Sequence, residues 1–377
     1  MALSLFAKDL GDGASLIRKF FTEGLKLKKI HGEKNVYDLS LGNPCLVTPF
    51  EFTKNLISSA LERKPYIHGY VPNLGTMDAR NATNGAAGAI TILLKAITDP
   101  GDEILTFKPY FTEYVGYTKN VNAKLVPIPT KFENDFIPEL DVVEEYINKK
   151  TRAVMFSNPN NPTGSLYSQD FLNKLGALLD RRSKKNNRPI YMIGDDPYQR
   201  LVYDGTKPTS VFKSTENSFS VSSFSKDLSL AGERIGYLAM HPEQKNAQKF
   251  LTVFPTLQRI LGFVNANHLM QRTIAKSIKL TVDLEIYNTN RKIVIDAFKR
   301  AGAPYVEPKG AFYAFPKLPE GVSDFDFVNK CMERLLLIVP GIAFGTPGFI
   351  RICYAYDTQS VRKGMEIFVK TYKEYNK

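Results

Sequence analysis

The sequence predicts an α/β fold, a mainly parallel sheet flanked by helices, with a smaller α+β unit attached. Two observations carry this. From residue 101 onward, short β-branched runs alternate with amphipathic helical stretches. Three successive runs also end in unusually polar segments, as strands do where an open sheet binds a ligand. The composition permits such a fold: 43% of residues are hydrophobic and 23% charged, close to the globular average, and 377 residues suit two domains or one large domain with an appendage.

Ile104 to Phe107, Ala153 to Ser157, Ile190 to Gly194 and Phe219 to Ser222 read as buried strands. Between the second and third lies a helix from Ser168 to Arg181. Phe171, Leu172, Leu175, Leu178 and Leu179 share one of its faces, and Ser168 caps its start. A long helix-prone stretch follows Pro242 to about Arg300. Tyr305 to Tyr354 reads as strand-rich, and Thr358 to Tyr375 as a final helix. The short basic clusters Lys26 to Lys29 and Arg181 to Lys185 read as solvated helix ends.

Fifty Lys and Arg against 38 Asp and Glu leave a net charge of +12, which suits nucleic acid, an anionic membrane surface or acidic small molecules without choosing among them. Cys45, Cys331 and Cys353 are widely spaced and form no CxxC pair. They indicate neither a disulfide framework nor a zinc site, and fit a reducing compartment. Met1 to Ser15 carries charges within a short apolar stretch and has no signal-peptide core. The apolar run Leu335 to Phe344 is broken by Pro340 and Gly341 and is too short to span a bilayer. The expectation is a cytoplasmic protein that engages neither membrane nor nucleic acid.

The chemistry concentrates at the three polar strand ends. Ala153 to Ser157 is followed by Asn158-Pro159-Asn160-Asn161-Pro162-Thr163-Gly164, whose prolines stop both helix and ladder. Ile190 to Gly194 is followed by Asp195-Asp196-Pro197-Tyr198. Phe219 to Ser222 is followed by Ser223-Phe224-Ser225-Lys226, then Gly232 and Arg234. Each piece alone is an ordinary turn or surface segment. Together they set an amide, a carboxylate, a phenol, an amine and a guanidinium around one crevice.

Ser223 to Gly236, read as SFSKDLSLAGERIG, resembles the lysine-attachment motif of the fold type I pyridoxal phosphate enzymes, specifically the class I/II aminotransferases. Supporting motifs occur in the family's order: Leu41-Gly42-Asn43-Pro44, Tyr70 followed by Gly75, Thr83-Asn84-Gly85-Ala86-Ala87, Pro100-Gly101-Asp102 and Pro109-Tyr110-Phe111. The carboxyl-terminal part adds Pro308-Lys309-Gly310-Ala311-Phe312-Tyr313 and Phe349-Ile350-Arg351. The resemblance implies a large cofactor-binding domain over 46–284 and a small domain made of 1–45 and 285–377.

It also implies pyridoxal 5'-phosphate as cofactor and amino-group transfer between an amino acid and a 2-oxo acid. Lys226 would form the Schiff base with the cofactor aldehyde and move the substrate proton. Asp195 would pair with the pyridine nitrogen, while Tyr198 and Asn161 donate to the phenolic oxygen. Arg234, Ser223, Ser225 and the Ala86 and Ala87 amides would hold the phosphate. Phe111 would lie against the pyridine ring, and Tyr70 would reach the phosphate of a second subunit in a homodimer. Arg351, with Gly42 beside it and Asn161 near, would grip the substrate carboxylate.

The family carries a helix and a buried strand between the Tyr70 to Arg80 segment and the Gly85 turn, whereas here Arg80 runs almost directly into Asn81-Ala82-Thr83. By usual element lengths about 20 residues are missing. Either a segment is dropped there, with Arg80 and Asn81 far apart in space, or the chain is a truncated variant; the expectation is the dropped segment. Some aspartate-specific relatives place a lysine beside the phosphate turn, where this chain has Ala86, so the donor amino acid stays open. Within the same fold the alternative is a β-eliminating C–S lyase, which shares Lys226, Asp195, Asn161 and Arg351. A cofactor-sensing transcription regulator would need a helix-turn-helix module, for which residues 1 to 40 are too short.

Overall fold

The computed structural model describes residues 16–71 and 82–376. Gly75 and the Arg80 to Asn81 junction, with the expectation attached to it, lie outside the described residues. A seven-stranded sheet organises the chain. Its strands are β2 (Ala82–Thr83), β3 (Glu103–Phe107), β4 (Lys124–Ile128), β5 (Thr151–Ser157), β6 (Tyr191–Asp195), β7 (Ser218–Ser223) and β8 (Gly236–Met240), in the order β2-β8-β7-β6-β5-β3-β4. A two-residue strand, β1 (Tyr37–Asp38), precedes them.

The pairs from β4 through β7 are all parallel, and β8 runs antiparallel to both of its neighbours. Antiparallel strands need no helical crossover. The chain therefore passes from β7 to β8 through one loop at the carboxyl edge of the parallel strands, and that loop carries Lys226 and Arg234. Register keeps the strand ends level: Ser157 of β5 lies opposite Asp195 of β6, and Asp195 opposite Val221 of β7.

Side chains alternate across the sheet. Ala153 and Met155 pack on one face with the helices Gly85–Ile97 and Ala247–Ile260. Val154 and Phe156 pack on the other with the helix Gln169–Asn186. Both faces are covered, which is why these strands read as continuous apolar runs rather than alternating ones. The Ser168 hydroxyl accepts a hydrogen bond from the Phe171 amide at 3.1 Å, the predicted cap. The basic clusters close the helices Leu16–His31 and Gln169–Asn186, as expected.

A second packed body contains the helices Leu284–Ala301 and Thr358–Tyr375 with Phe20, Leu39 and the carboxyl-terminal strands. The helix-prone stretch after Pro242 forms three helices, Ala247–Ile260, His268–Ser277 and Leu284–Ala301, as expected. One expectation needs correction here. The region from Tyr305 to Tyr354 is not strand-rich. Its strands β9 (Tyr313–Ala314), β10 (Leu336–Leu337), β11 (Val339–Pro340) and β12 (Ile350–Cys353) are short, and a helix occupies Asp324–Glu333. Phe327, Val328 and Cys331 give that helix its buried face.

Candidate active site

The strand ends, the β7–β8 loop, the start of the helix Gly85–Ile97 and the β12 strand converge on one cleft of about 320 Å³. Of the residues singled out by sequence, Gly42, Ala86, Ala87, Phe111, Asn161, Asp195, Tyr198, Ser223, Ser225, Lys226, Arg234 and Arg351 all line it. Tyr70 does not. It follows the turn at residues 65–68, with 91% of its surface exposed.

Asp195 ends β6 and is fully enclosed. The Tyr114 hydroxyl donates to its Oδ2 at 2.8 Å. Burial pushes the carboxyl up to about 6, opposed by the Tyr114 hydrogen bond and by the nearby Lys226 charge. Its neighbour Asp196 points elsewhere, accepting from the Ser220 hydroxyl at 2.5 Å, and burial with the Asp195 charge pushes it up to about 7. The two adjacent carboxylates thus face different surroundings, and only Asp195 lines the cleft.

Lys226 reaches into the cleft from the loop after β7, and its Nζ donates to the Gly42 carbonyl at 2.6 Å. Burial lowers this amine to about 8; Arg351 and Arg234 push the same way, while Cys353 and Asp195 oppose. Near neutral pH a usable fraction is therefore unprotonated.

Asn161 is fixed by a folded turn. Its amide donates to the Ser157 hydroxyl at 3.0 Å, and the Gly164 amide donates to the Asn160 carbonyl at 2.9 Å. Its Oδ1 accepts from Arg351 Nη1 at 3.0 Å. Arg351 Nη2 donates to the Ser40 carbonyl at 2.5 Å, and the guanidinium lies over both the Tyr313 and the Phe344 ring, 4.7 Å from each centroid. Arg351 Nε is buried without a hydrogen-bond partner. The Tyr198 hydroxyl pairs with that of Tyr313 at 3.0 Å, and burial raises the Tyr198 phenol well above its ordinary value, so it stays protonated and able to donate.

The opposite end of the cleft is built for an anion. The helix Gly85–Ile97 starts without a side-chain cap on its first amides. Arg234 is beside that start: a Cβ added at Gly85 would lie 2.8 Å from Arg234 Nη2, and Gly85 also has φ +72°. Uncapped amides, the helix dipole and a guanidinium together make a phosphate cradle. Ser223 and Ser225 stand on the same wall. At the other end Gly42 is equally constrained, since an added Cβ would lie 1.8 Å from the Tyr313 hydroxyl.

These surroundings fit pyridoxal phosphate. A buried carboxylate that forms no salt bridge among the described residues suits a pyridinium, an amine of lowered pKa suits an aldehyde, and the cradle suits a phosphate dianion. Sequence reasoning missed the functional part of Tyr114, Tyr313, Phe344 and the Ser40 carbonyl. Tyr313 was inside a recognised motif, but the aromatics otherwise look like core residues, and a carbonyl carries no side-chain signal.

Comparison with known proteins agrees with this geometry. The pattern of the aminotransferase class I and II family matches residues 70–368. An aspartate aminotransferase of Pyrococcus horikoshii is 28% identical over 93% of this chain and 93% of its own. Aromatic-amino-acid aminotransferase 2 of Thermococcus litoralis is 27% identical over 91% of this chain and 93% of its own. The crystal structure of an amino transferase from Eubacterium rectale superposes with a TM-score of 0.94 at 36% identity, covering 100% of both chains.

Proposed function

The chain belongs to the class I and II aminotransferases, pyridoxal phosphate enzymes that transfer an amino group between an amino acid and a 2-oxo acid, and on that premise we propose which of its residues do the work. The observation that carries the assignment is the convergence of Lys226, Asp195, Asn161, Tyr198, Arg234 and Arg351 with the Ala86 and Ala87 amides on one cleft.

When bound, the cofactor supplies an electron sink for the pair of electrons left on the substrate Cα. Asp195 holds the pyridine nitrogen as a charge pair, and Tyr114 keeps the carboxylate aimed. Tyr198 and Asn161 donate to the phenolic oxygen. Arg234, Ser223, Ser225 and the Ala86 and Ala87 amides bind the phosphate, and Phe111 covers the ring face. Lys226 Nζ would be the attachment amine for the cofactor aldehyde and, when free, the base that holds and moves the proton of the substrate Cα. Arg351 clamps the α-carboxylate, pre-aligned by Asn161, Ser40 and the two flanking rings.

Several wider readings accompany this one. Tyr70 serves the phosphate of a second subunit in a homodimer; its exposure, with that of Val47, Phe50, Leu61 and Tyr66, supports an interface there. The division into 46–284 and 1–45 with 285–377 is supported by the core in which Phe20 and Leu39 join the helices Leu284–Ala301 and Thr358–Tyr375, a core that Tyr198, Leu201 and Tyr203 also enter. Free Cys45, Cys331 and Cys353 support the cytoplasm. Among the described residues, no helix is long and apolar enough to cross a membrane.

The aminotransferase names of the relatives favour amino-group transfer over β-elimination, and divide between aspartate and aromatic donors. The test is a half-reaction. Holoenzyme mixed with single amino acids should lose its visible cofactor band while releasing one equivalent of the matching 2-oxo acid. Release of ammonia with pyruvate from cysteine conjugates, without 2-oxo acid exchange, would move the reading to the lyase.

A further inference from the structure

Tyr313 touches three parts of the site at once. Its hydroxyl lies 3.0 Å from that of Tyr198. Its ring receives the Arg351 guanidinium at 4.7 Å, which the Phe344 ring also contacts at 4.7 Å. Its hydroxyl also abuts Gly42, whose carbonyl holds Lys226 Nζ, and only a glycine leaves that space. The residue is 2% exposed, on the strand β9, and its ring packs edge-on against Tyr198 at 5.7 Å. Nothing near it is loose enough to take over these contacts: β9 pairs with β12, the strand that carries Arg351, through Cys353 opposite Tyr313 and Ile352 opposite Ala314.

The geometry points to Tyr313 as a positioning residue with two separable parts: the hydroxyl sets the donor direction of Tyr198, and the ring fixes the plane of Arg351. This rests on the reading above, in which Tyr198 faces the cofactor phenolic oxygen and Arg351 the substrate carboxylate. A phenol can donate one proton and accept another. When Tyr313 donates to the Tyr198 oxygen, the Tyr198 proton is left for the cofactor, and the chain of two hydroxyls polarises in that direction. A guanidinium packed on two aromatic rings and hydrogen-bonded to Asn161 and the Ser40 carbonyl is restrained in its plane, so it presents an oriented fork to a carboxylate. The other charged or titratable groups around this pair are Asp195, Arg351, Cys353 and Lys226.

Two variants separate the parts. Tyr313→Phe keeps the ring and removes the hydroxyl; Tyr313→Met keeps bulk and removes the aromatic face. The first readout is the pH midpoint of the visible band of the bound cofactor, without substrate. The second is the affinity for 2-aminoisobutyrate, which has an α-carboxylate but no Cα proton to lose, followed by the same absorbance.

Y313F should raise the midpoint by about 0.3 to 1 pH unit, the equivalent of one lost neutral hydrogen bond, and leave the affinity within about twofold. Y313M should weaken the affinity about tenfold. An unchanged midpoint in Y313F overturns the hydroxyl part, whatever becomes of Y313M. Wild-type affinity in Y313M overturns the ring part. If Y313M does not fold, Phe344→Met tests the same guanidinium through its other ring contact, and wild-type affinity there overturns the ring part equally. Failure of the underlying reading looks different: the wild-type protein itself would then show no cofactor band, or a band indifferent to amino acids.

Discussion

Asp195 is held for a cation that the polypeptide alone does not supply in full, and this has a measurable consequence for Asp195→Asn. In the folded chain burial raises this carboxyl from its ordinary 3.8 to about 6, so between roughly pH 4 and pH 6 the native protein keeps a proton that the unfolded chain has lost. Stability from this group is therefore full below pH 4 and falls as pH rises through 6. At 1.36 kcal/mol per pH unit the loss is about 3 kcal/mol. Asparagine removes the ionisation but can still accept the Tyr114 hydrogen bond.

Cofactor-free D195N should thus match the wild-type protein near pH 4, gain on its thermal midpoint as pH rises through 6, and keep that advantage up to pH 8. Asp227, also raised by burial, is common to both proteins and cancels in the difference, whereas Asp196 is raised partly by the Asp195 charge, so its relief in D195N widens the gap in the same direction. Added pyridoxal phosphate should reverse the order at pH 8, because only the wild-type carboxylate pairs with the pyridine nitrogen. The assay is a thermal melt over that pH range with and without cofactor. A gap that does not vary with pH, or a D195N protein less stable at pH 8 without cofactor, refutes the reasoning.

Gly42→Ala should lower stability by about 1–3 kcal/mol and cut kcat/KM about a hundredfold, since the new Cβ would meet the Tyr313 hydroxyl and push it from its place; a thermal melt and steady-state kinetics are the check, and wild-type values in both would contradict the close approach. Arg351→Ala should raise KM about a hundredfold through loss of a charge-assisted clamp, with a smaller effect on kcat, and unchanged KM would contradict its part. Ser168→Ala should lower stability by about 1 kcal/mol without touching kinetics, read from the thermal midpoint. Mixing Tyr70→Phe and Lys226→Ala proteins should restore activity through one intact site per heterodimer, whereas a fully active monomer would remove the interface assignment.

The central strands were legible because they are covered on both faces and so appear as apolar runs. β4 was not, because it is the edge strand, where Lys124 and Pro127 are tolerated and blur the pattern. β8 opens on Gly236, which reads as a turn. In the region 305–354 the dense aromatic and β-branched content imitated strands, while the helix Asp324–Glu333 showed only a short apolar stripe. The site was legible where chemistry needs a particular side chain at a strand end, as for Asn161, Asp195 and Lys226. It was not legible where the work is done by a carbonyl, as at Ser40, or by an aromatic whose role depends on what packs against it, as with Tyr114 and Phe344.

The central claim is that pyridoxal phosphate is held in this cleft by Lys226, opposite Asp195. Borohydride reduction of the holoenzyme followed by peptide mapping tests it most directly. The account predicts a pyridoxyl group on the peptide containing Lys226 and none in the Lys226→Ala protein. A label on another lysine, or equal labelling of the variant, would contradict it.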